Sequence, residues 1–189
     1  MTVVFSSSSP IASVALISAN EVLAERAEEA GHKASGMLLF LLDKLLAECG
    51  RELHDARLFV ADVGPGSFTG VKVGVTLAKT MAFALRLPVA GVTSFDLIAP
   101  GATVVVPSRK GEALLREPGR EPQIVDSPPA GAVGYGPFAR EQIMPLASRA
   151  LGVLDRLTPV AAELLVPLYV AEPSISKPKD PRVTGGRRA

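Results

Sequence analysis

Histidine and cysteine are scarce: the 189 residues include two His and one Cys, Cys49. A single cysteine excludes an internal disulfide framework and a cysteine-only metal cluster within one chain, and it fits a reducing compartment. So few His and Cys also speak against a zinc or iron site, which recruits several such ligands. Charge of one sign is lacking as well. Lys plus Arg total 20 and Asp plus Glu 19, a formal net charge of +1, so no global field draws the chain to nucleic acid or an anionic membrane. A long apolar run is missing too: the densest, Met37 to Leu42, meets Asp43 and Lys44 far short of a bilayer's thickness, and no basic segment with an apolar run opens the sequence. The expectation is a soluble, cytoplasmic protein that meets no membrane. Apolar residues are plentiful at 48%, enough to bury a sizeable core, and the length suits one domain or two small lobes.

Thr2 to Phe5 and Ile11 to Ile17, separated by Ser6 to Ser9 and Pro10, read as a hairpin. Glu21 to Ala30 reads equally as a third strand or a charged helix. From Ala34 to Glu48, Met37, Leu38, Leu41, Leu42 and Leu45 recur at three-four spacing and Gly50 stands at the stop, which predicts an amphipathic helix. Leu58 to Val63 is a strand, Thr69 to Leu85 a second helix and Pro88 to Val92 a further strand. This order implies a mixed sheet with helical crossovers. The second half is thinner. Ala102 to Val106 pairs with Glu112 to Arg116, Gln123 to Val125 adds a third strand, and Ser127 to Pro137 is a loop. Ala139 to Leu157 contains a helix that Pro145 starts or kinks, and Pro159 opens a shorter one. The division is 1–95 for a first lobe, 96–172 for a smaller second lobe and 173–189 for a flexible tail. The tail's Lys177, Lys179, Arg182, Arg187 and Arg188 are diluted by Asp180, which favours a solvated tail over an RNA contact.

The most informative stretch is Gly64-Pro65-Gly66-Ser67-Phe68-Thr69-Gly70-Val71-Lys72-Val73-Gly74. A glycine-rich turn from strand into helix can aim N–H groups at an anion. Equally, Gly64 and Gly66 can simply turn the chain while Ser67 or Thr69 caps the helix. The segment matches neither the P-loop nor the dinucleotide fingerprint. Within the helix, Gly70, Gly74, Ala78 and Ala82 recur every four residues beside Val71, a small-residue stripe that admits another backbone. Two glycines there cost about 1 kcal/mol each relative to alanine. The stripe suits either a partner's helix or this chain's own first helix.

The run Gly64 to Gly74 resembles the TsaB (YeaZ) family, bacterial proteins of tRNA threonylcarbamoyladenosine (t6A) biosynthesis in the TsaD/Kae/Hsp70-actin-like superfamily. Ser13-Val14-Ala15-Leu16, His32, Pro88 to Ser94 and Pro167-Leu168-Tyr169 support the resemblance, which is clear for residues 1 to about 100. It implies an α/β, actin-like or Hsp70-like ATPase fold: two ribonuclease-H-like lobes with mixed five-stranded sheets, the second shortened, and Glu21 to Ala30 as a strand. It also implies a non-catalytic partner of the transferase TsaD, with TsaE as a further partner, a competing homodimer, and tRNA reached only through the complex. The modified tRNAs are those that read codons starting with adenine. The resemblance places Gly70, Val71, Gly74, Ala78 and Ala82 at the dimer interface.

The TsaD metal motif, His-x-x-x-His, corresponds here to Ser94 and Ile98, neither a transition-metal ligand. The family's first-turn Asp is Ser6, its Asp-Ala-Arg segment is Pro107-Ser108-Arg109, and its terminal Arg is Ala171. These departures imply no catalytic residues, no metal, no autonomous ATP hydrolysis, and at most weak ATP or ADP binding between the lobes. The alternative is an enzyme, either an Hsp70-like ATP-dependent transferase or a glycoprotease-like peptidase.

Overall fold

β1 (Thr2–Ser6) and β2 (Ile11–Ser18) form the expected hairpin, with Thr2 opposite Ile17 and Ser6 opposite Ser13, and β3 (Glu21–Glu29) continues it antiparallel. The ambiguous third segment is therefore a strand. α1 (Ala34–Glu48) crosses to β4 (Leu58–Asp62) and α2 (Phe68–Leu85) to β5 (Val89–Val92), both strands running parallel to β1. The first sheet has the order β3-β2-β1-β4-β5. This computed structural model describes residues 1–29, 34–108 and 111–170. His32, Arg109, Ala171 and the tail 173–189 with its basic residues lie outside them.

Alternation along β1 assigns the layers. Val3 and Phe5 face the helices, where Leu38, Leu41, Leu42 and Leu45 of α1 and Val71, Val75, Ala78 and Ala82 of α2 complete a buried cluster. Each fully buried Leu or Phe contributes about 1.5–3 kcal/mol. Val4 faces the other way, against Val60, Ala90, Val92 and Leu97. That face is covered by a 3₁₀ helix, Ala147–Arg156, through Ala147, Ala150 and Val153.

α3 (Ser94–Ile98), capped by Thr93 through the Asp96 amide, leads into a second sheet. Its strands are β6 (Val104–Pro107), β7 (Ala113–Arg116), β8 (Gln123–Val125), β9 (Val133–Gly134) and β10 (Glu141–Gln142), in the order β10-β9-β6-β7-β8. β6 pairs antiparallel with β7 and parallel with β9, repeating the pattern of the first sheet. Gly134 is required there: it has φ +148, and a Cβ would lie 1.8 Å from the Val105 carbonyl oxygen.

Three expectations for the second half are corrected. The loop Ser127 to Pro137 contains β9. The helix expected within Ala139 to Leu157 is β10 followed by the 3₁₀ segment, whose buried residues at 147, 150 and 153 follow that helix's three-residue period. The boundary at 95/96 also fails for part of the chain. Residues 147–156 cover the first sheet, while Val160 bridges Val89 and Ala162 and Leu165 join the helix-side core, so the chain returns to the first lobe.

Candidate functional site between the lobes

Four consecutive serines form the β1–β2 connection, and all are buried, Ser6 fully and Ser9 at 7% exposure. Beside them, at the end of the apolar strand β4, lies Asp62, 1% exposed. Ser6 and Ser8 hydroxyls meet its Oδ2, Ser6 at 2.8 Å, while the Gly64 amide donates to Oδ1 at 2.8 Å and Ser94 Oγ meets Oδ1 at 2.7 Å. Burial, the largest influence, pushes the Asp62 carboxyl above its ordinary range, and hydrogen bonds from Ser8, Ser94, Gly64 and Ser6 oppose it. The second lobe contributes Tyr135, whose hydroxyl donates to the Ser8 carbonyl at 3.2 Å. Burial is the main influence on the Tyr135 phenol and pushes it up. Nearby, Arg116 of β7 ties the second sheet to α3, donating to Asp96 at 2.8 Å and to the Ala99 carbonyl at 3.0 Å.

The glycine turn wraps this loop. Gly66 lets the chain pass the Ser8 carbonyl, since a Cβ there would sit 2.2 Å from that oxygen. Three of the N–H groups that could meet an anion are occupied: Gly64's by Asp62, Ser67's by the Ser8 carbonyl at 2.7 Å, and Gly70's by Ser67 Oγ at 3.2 Å. Ser67 is thus the helix cap, and Thr69 is exposed beside it. Protein oxygens thus take up the Gly64, Ser67 and Gly70 amides of the turn.

The small-residue stripe is also corrected. Gly70, Val71, Gly74, Ala78 and Ala82 are buried inside this chain rather than displayed to a partner. A Cβ on Gly70 would lie 1.8 Å from the Ser7 carbonyl oxygen, and one on Gly74 would lie 3.1 Å from Ser7 Oγ. Ser7 Oγ donates to the Gly70 carbonyl at 2.8 Å. The backbone that the stripe admits is therefore the chain's own β1–β2 loop. The outward side of the helix pair carries Leu39 and Phe40 of α1 and Phe68 and Phe83 of α2, all exposed. By length and apolar composition α2 could cross a membrane, but its buried stripe makes it a core helix of this lobe.

Ser94 and Ile98 fall on α3, Ser94 turned to Asp62 and Ile98 into the second lobe's core. Among the described residues no group of three or more His, Cys, Asp and Glu could hold a metal ion. Asp62 and Tyr135 had escaped notice in the sequence. The signal for the first was a single acid interrupting the otherwise apolar Leu58 to Val63, in a chain whose serine tetrad, Ser6 to Ser9, had no partner assigned.

Two five-stranded mixed sheets of one strand order, joined through a polar seam, define an actin-like α/β protein. Two solved Pseudomonas aeruginosa structures share this fold. One, described as similar to peptidase YEAZ, is 22% identical, covers 90% of this chain and 99% of its own, and superposes with a TM-score of 0.75. The other, YeaZ, is 21% identical over 89% of this chain and 98% of its own, with a TM-score of 0.73. A family model described as "TsaD: tRNA N6-adenosine threonylcarbamoyltransferase" matches residues 17–115, more than half of the sequence, and the chain belongs to that family. Curated relatives are tRNA threonylcarbamoyladenosine biosynthesis proteins TsaB. That of Bacillus subtilis is 36% identical over 86 residues, 46% of this chain and 38% of the relative. That of Escherichia coli is 35% identical over 65 residues, 34% and 28% of the two chains. The matched segments span well under half the length of these relatives.

Proposed function

We propose that the chain is a non-catalytic partner of the transferase TsaD in forming N6-threonylcarbamoyladenosine in tRNA, working in the cytoplasm. The relatives that carry the TsaB name support the pathway. The observation that carries the role is the seam: the turn and the β1–β2 loop bond to each other, so that the Gly64, Ser67 and Gly70 amides are engaged by protein oxygens. The buried hydroxyls of Ser6, Ser8 and Ser94 adjoin a carboxyl, and His54 sits exposed in the 3₁₀ turn Leu53–Asp55, so the described residues assemble no serine–histidine pair for peptidase chemistry.

The docking surface in this proposal is the outward side of α1 and α2. Leu39 and Phe40 are 44% and 51% exposed there, and the ammonium of Lys44 lies 5.5 Å from the Phe40 ring centroid. An exposed aromatic beside a cation is the kind of anchor that carries association energy. TsaE binds the assembled pair, tRNA is met through the complex, and a homodimer competes for the same helices.

The test is co-purification of the chain with TsaD from the same source, followed by light scattering, for wild type and Phe40→Asp. A one-to-one complex weakened at least about tenfold by the substitution is expected, with folding stability unchanged within about 0.5 kcal/mol. Undiminished association would move the surface elsewhere, and no wild-type complex would overturn the partnership.

A further inference from the structure

The hydroxyl protons around Asp62 are too few for the contacts they face. Ser6 Oγ lies within hydrogen-bond distance of both Asp62 Oδ2 and the Pro145 carbonyl oxygen, at 2.8 and 2.5 Å. Ser8 Oγ lies within reach of Asp62 Oδ2 and, at 2.9 Å, of Ser94 Oγ, which in turn meets Asp62 Oδ1 at 2.7 Å. Those are five oxygen–oxygen contacts, and three serines supply one proton each while a carbonyl and an ionised carboxylate supply none. Two close contacts would then hold facing lone pairs in a buried site. One proton on the carboxyl fills a fourth.

We infer that Asp62 is a neutral carboxylic acid at physiological pH and that its proton closes a hydrogen-bonded ring fastening the β1–β2 loop at the seam. In this ring the acid O–H at Oδ2 donates to Ser8, Ser8 donates to Ser94, and Ser94 donates to Oδ1. Ser6 is thereby free to donate to Pro145, on the segment returning from the second sheet. The Gly64 amide donates to Oδ1 at 2.8 Å and favours the ionised form, but the other groups facing the carboxyl are neutral hydroxyls and a carbonyl. The loop offers the Ser6 and Ser8 hydroxyls, α3 offers Ser94, the returning segment offers the Pro145 carbonyl, and β9 is followed by the phenol of Tyr135. No Lys, Arg or His of the described residues donates to the carboxyl, so nothing cationic offsets the cost of a buried charge. Burial also holds the group above its ordinary range.

The sign of the linkage follows. A carboxyl raised in the folded state contributes fully below its unfolded value, and that contribution is lost as pH rises through the folded value. Loss of the ring proton loosens the Ser8 carbonyl that receives both Ser67 and Tyr135, so alkaline conditions relax the seam.

Asp62→Asn tests this directly. An amide places two N–H groups where Ser6 and Ser8 meet Oδ2, and with three serine protons it fills all five contacts. The expected result is a melting temperature raised by about 2–4 °C at neutral pH, the shift that one added hydrogen bond gives a chain of this size. The advantage should grow as pH rises through the folded carboxyl's titration. Infrared difference spectra, wild type minus Asp62→Asn, should contain a protonated-carboxyl band at neutral pH. A carboxylate band in its place, or a variant destabilised equally at every pH, overturns the inference. If the variant does not fold, a carbon-13 carboxyl titration of the wild-type chain decides: an aspartyl resonance ionising in the ordinary range for every Asp overturns it.

Discussion

The two sheets share one strand order, yet they are clothed differently. In the first, α1 links β3 to β4 and α2 links β4 to β5, and these helices bury four leucines and a valine-alanine face against Val3 and Phe5. In the second, the connections β8 to β9 and β9 to β10 contain no helix. The second sheet borrows its covering: Phe95 and Ile98 of α3, the element that follows β5, pack beneath Val104 and Val106. Where a helix is missing, one side chain substitutes. Gln142 donates to the Gly136 carbonyl and accepts from its amide at 2.9 and 3.0 Å, imitating a strand partner across a six-residue connection. A sheet topology thus survives without its crossover helices where a short preceding helix supplies the apolar surface and a side chain supplies missing backbone bonds.

This contrast can be broken from either side. Phe5→Ala removes a fully buried ring stacked 6.5 Å from Phe59, and the expected loss is about 3–5 kcal/mol, with both lobes unfolding in one transition by denaturant titration. Gly134→Ala forces a Cβ against the Val105 carbonyl and should cost about 3 kcal/mol. Its signature is regional: hydrogen exchange should accelerate in β6, β9 and β10 while β1 and β4 stay protected. A smaller effect is expected from Arg116→Ala, about 1–2 kcal/mol, since its ion pair with Asp96 is only partly buried, the side chains being 16% and 34% exposed. Hydrogen exchange should then accelerate in α3 and β7 while β1 and β4 stay protected; unchanged exchange there would mean that the pair does not hold α3 to the second sheet.

Legibility followed the same divide. Repeated Leu at three-four spacing and alternating β-branched residues announced α1, β1 and β2, because each element buries a full face of its own. β9 and β10 have two residues apiece, too short for any period to register. The 3₁₀ helix hid for another reason: Ala147, Ala150 and Val153 repeat every three residues, and Pro145 made an ordinary helix start plausible. The stripe from Gly70 to Ala82 was legible as a place of close approach, but four-residue spacing says nothing of what approaches. That was Ser7, from a loop whose own sequence, four serines, carries no directional signal. The seam escaped since Asp62, Ser94 and Tyr135 are brought together only by the fold.

The strand edges carry a consequence for assembly. β3 borders the first sheet with Glu21, Glu25, Arg26, Glu28 and Glu29, while the far border, β5, is closed by Val160, whose amide and carbonyl bond Val89 at 2.8 and 3.0 Å. The second sheet ends in β8 and β10, three and two residues long. A neighbour seeking to add a strand meets charge at one margin, a bridge blocking the start of β5 at the next and stubs too brief to grip at the last two. These margins leave little open backbone for an added strand, so sheet extension is an unfavourable route for one copy to meet another.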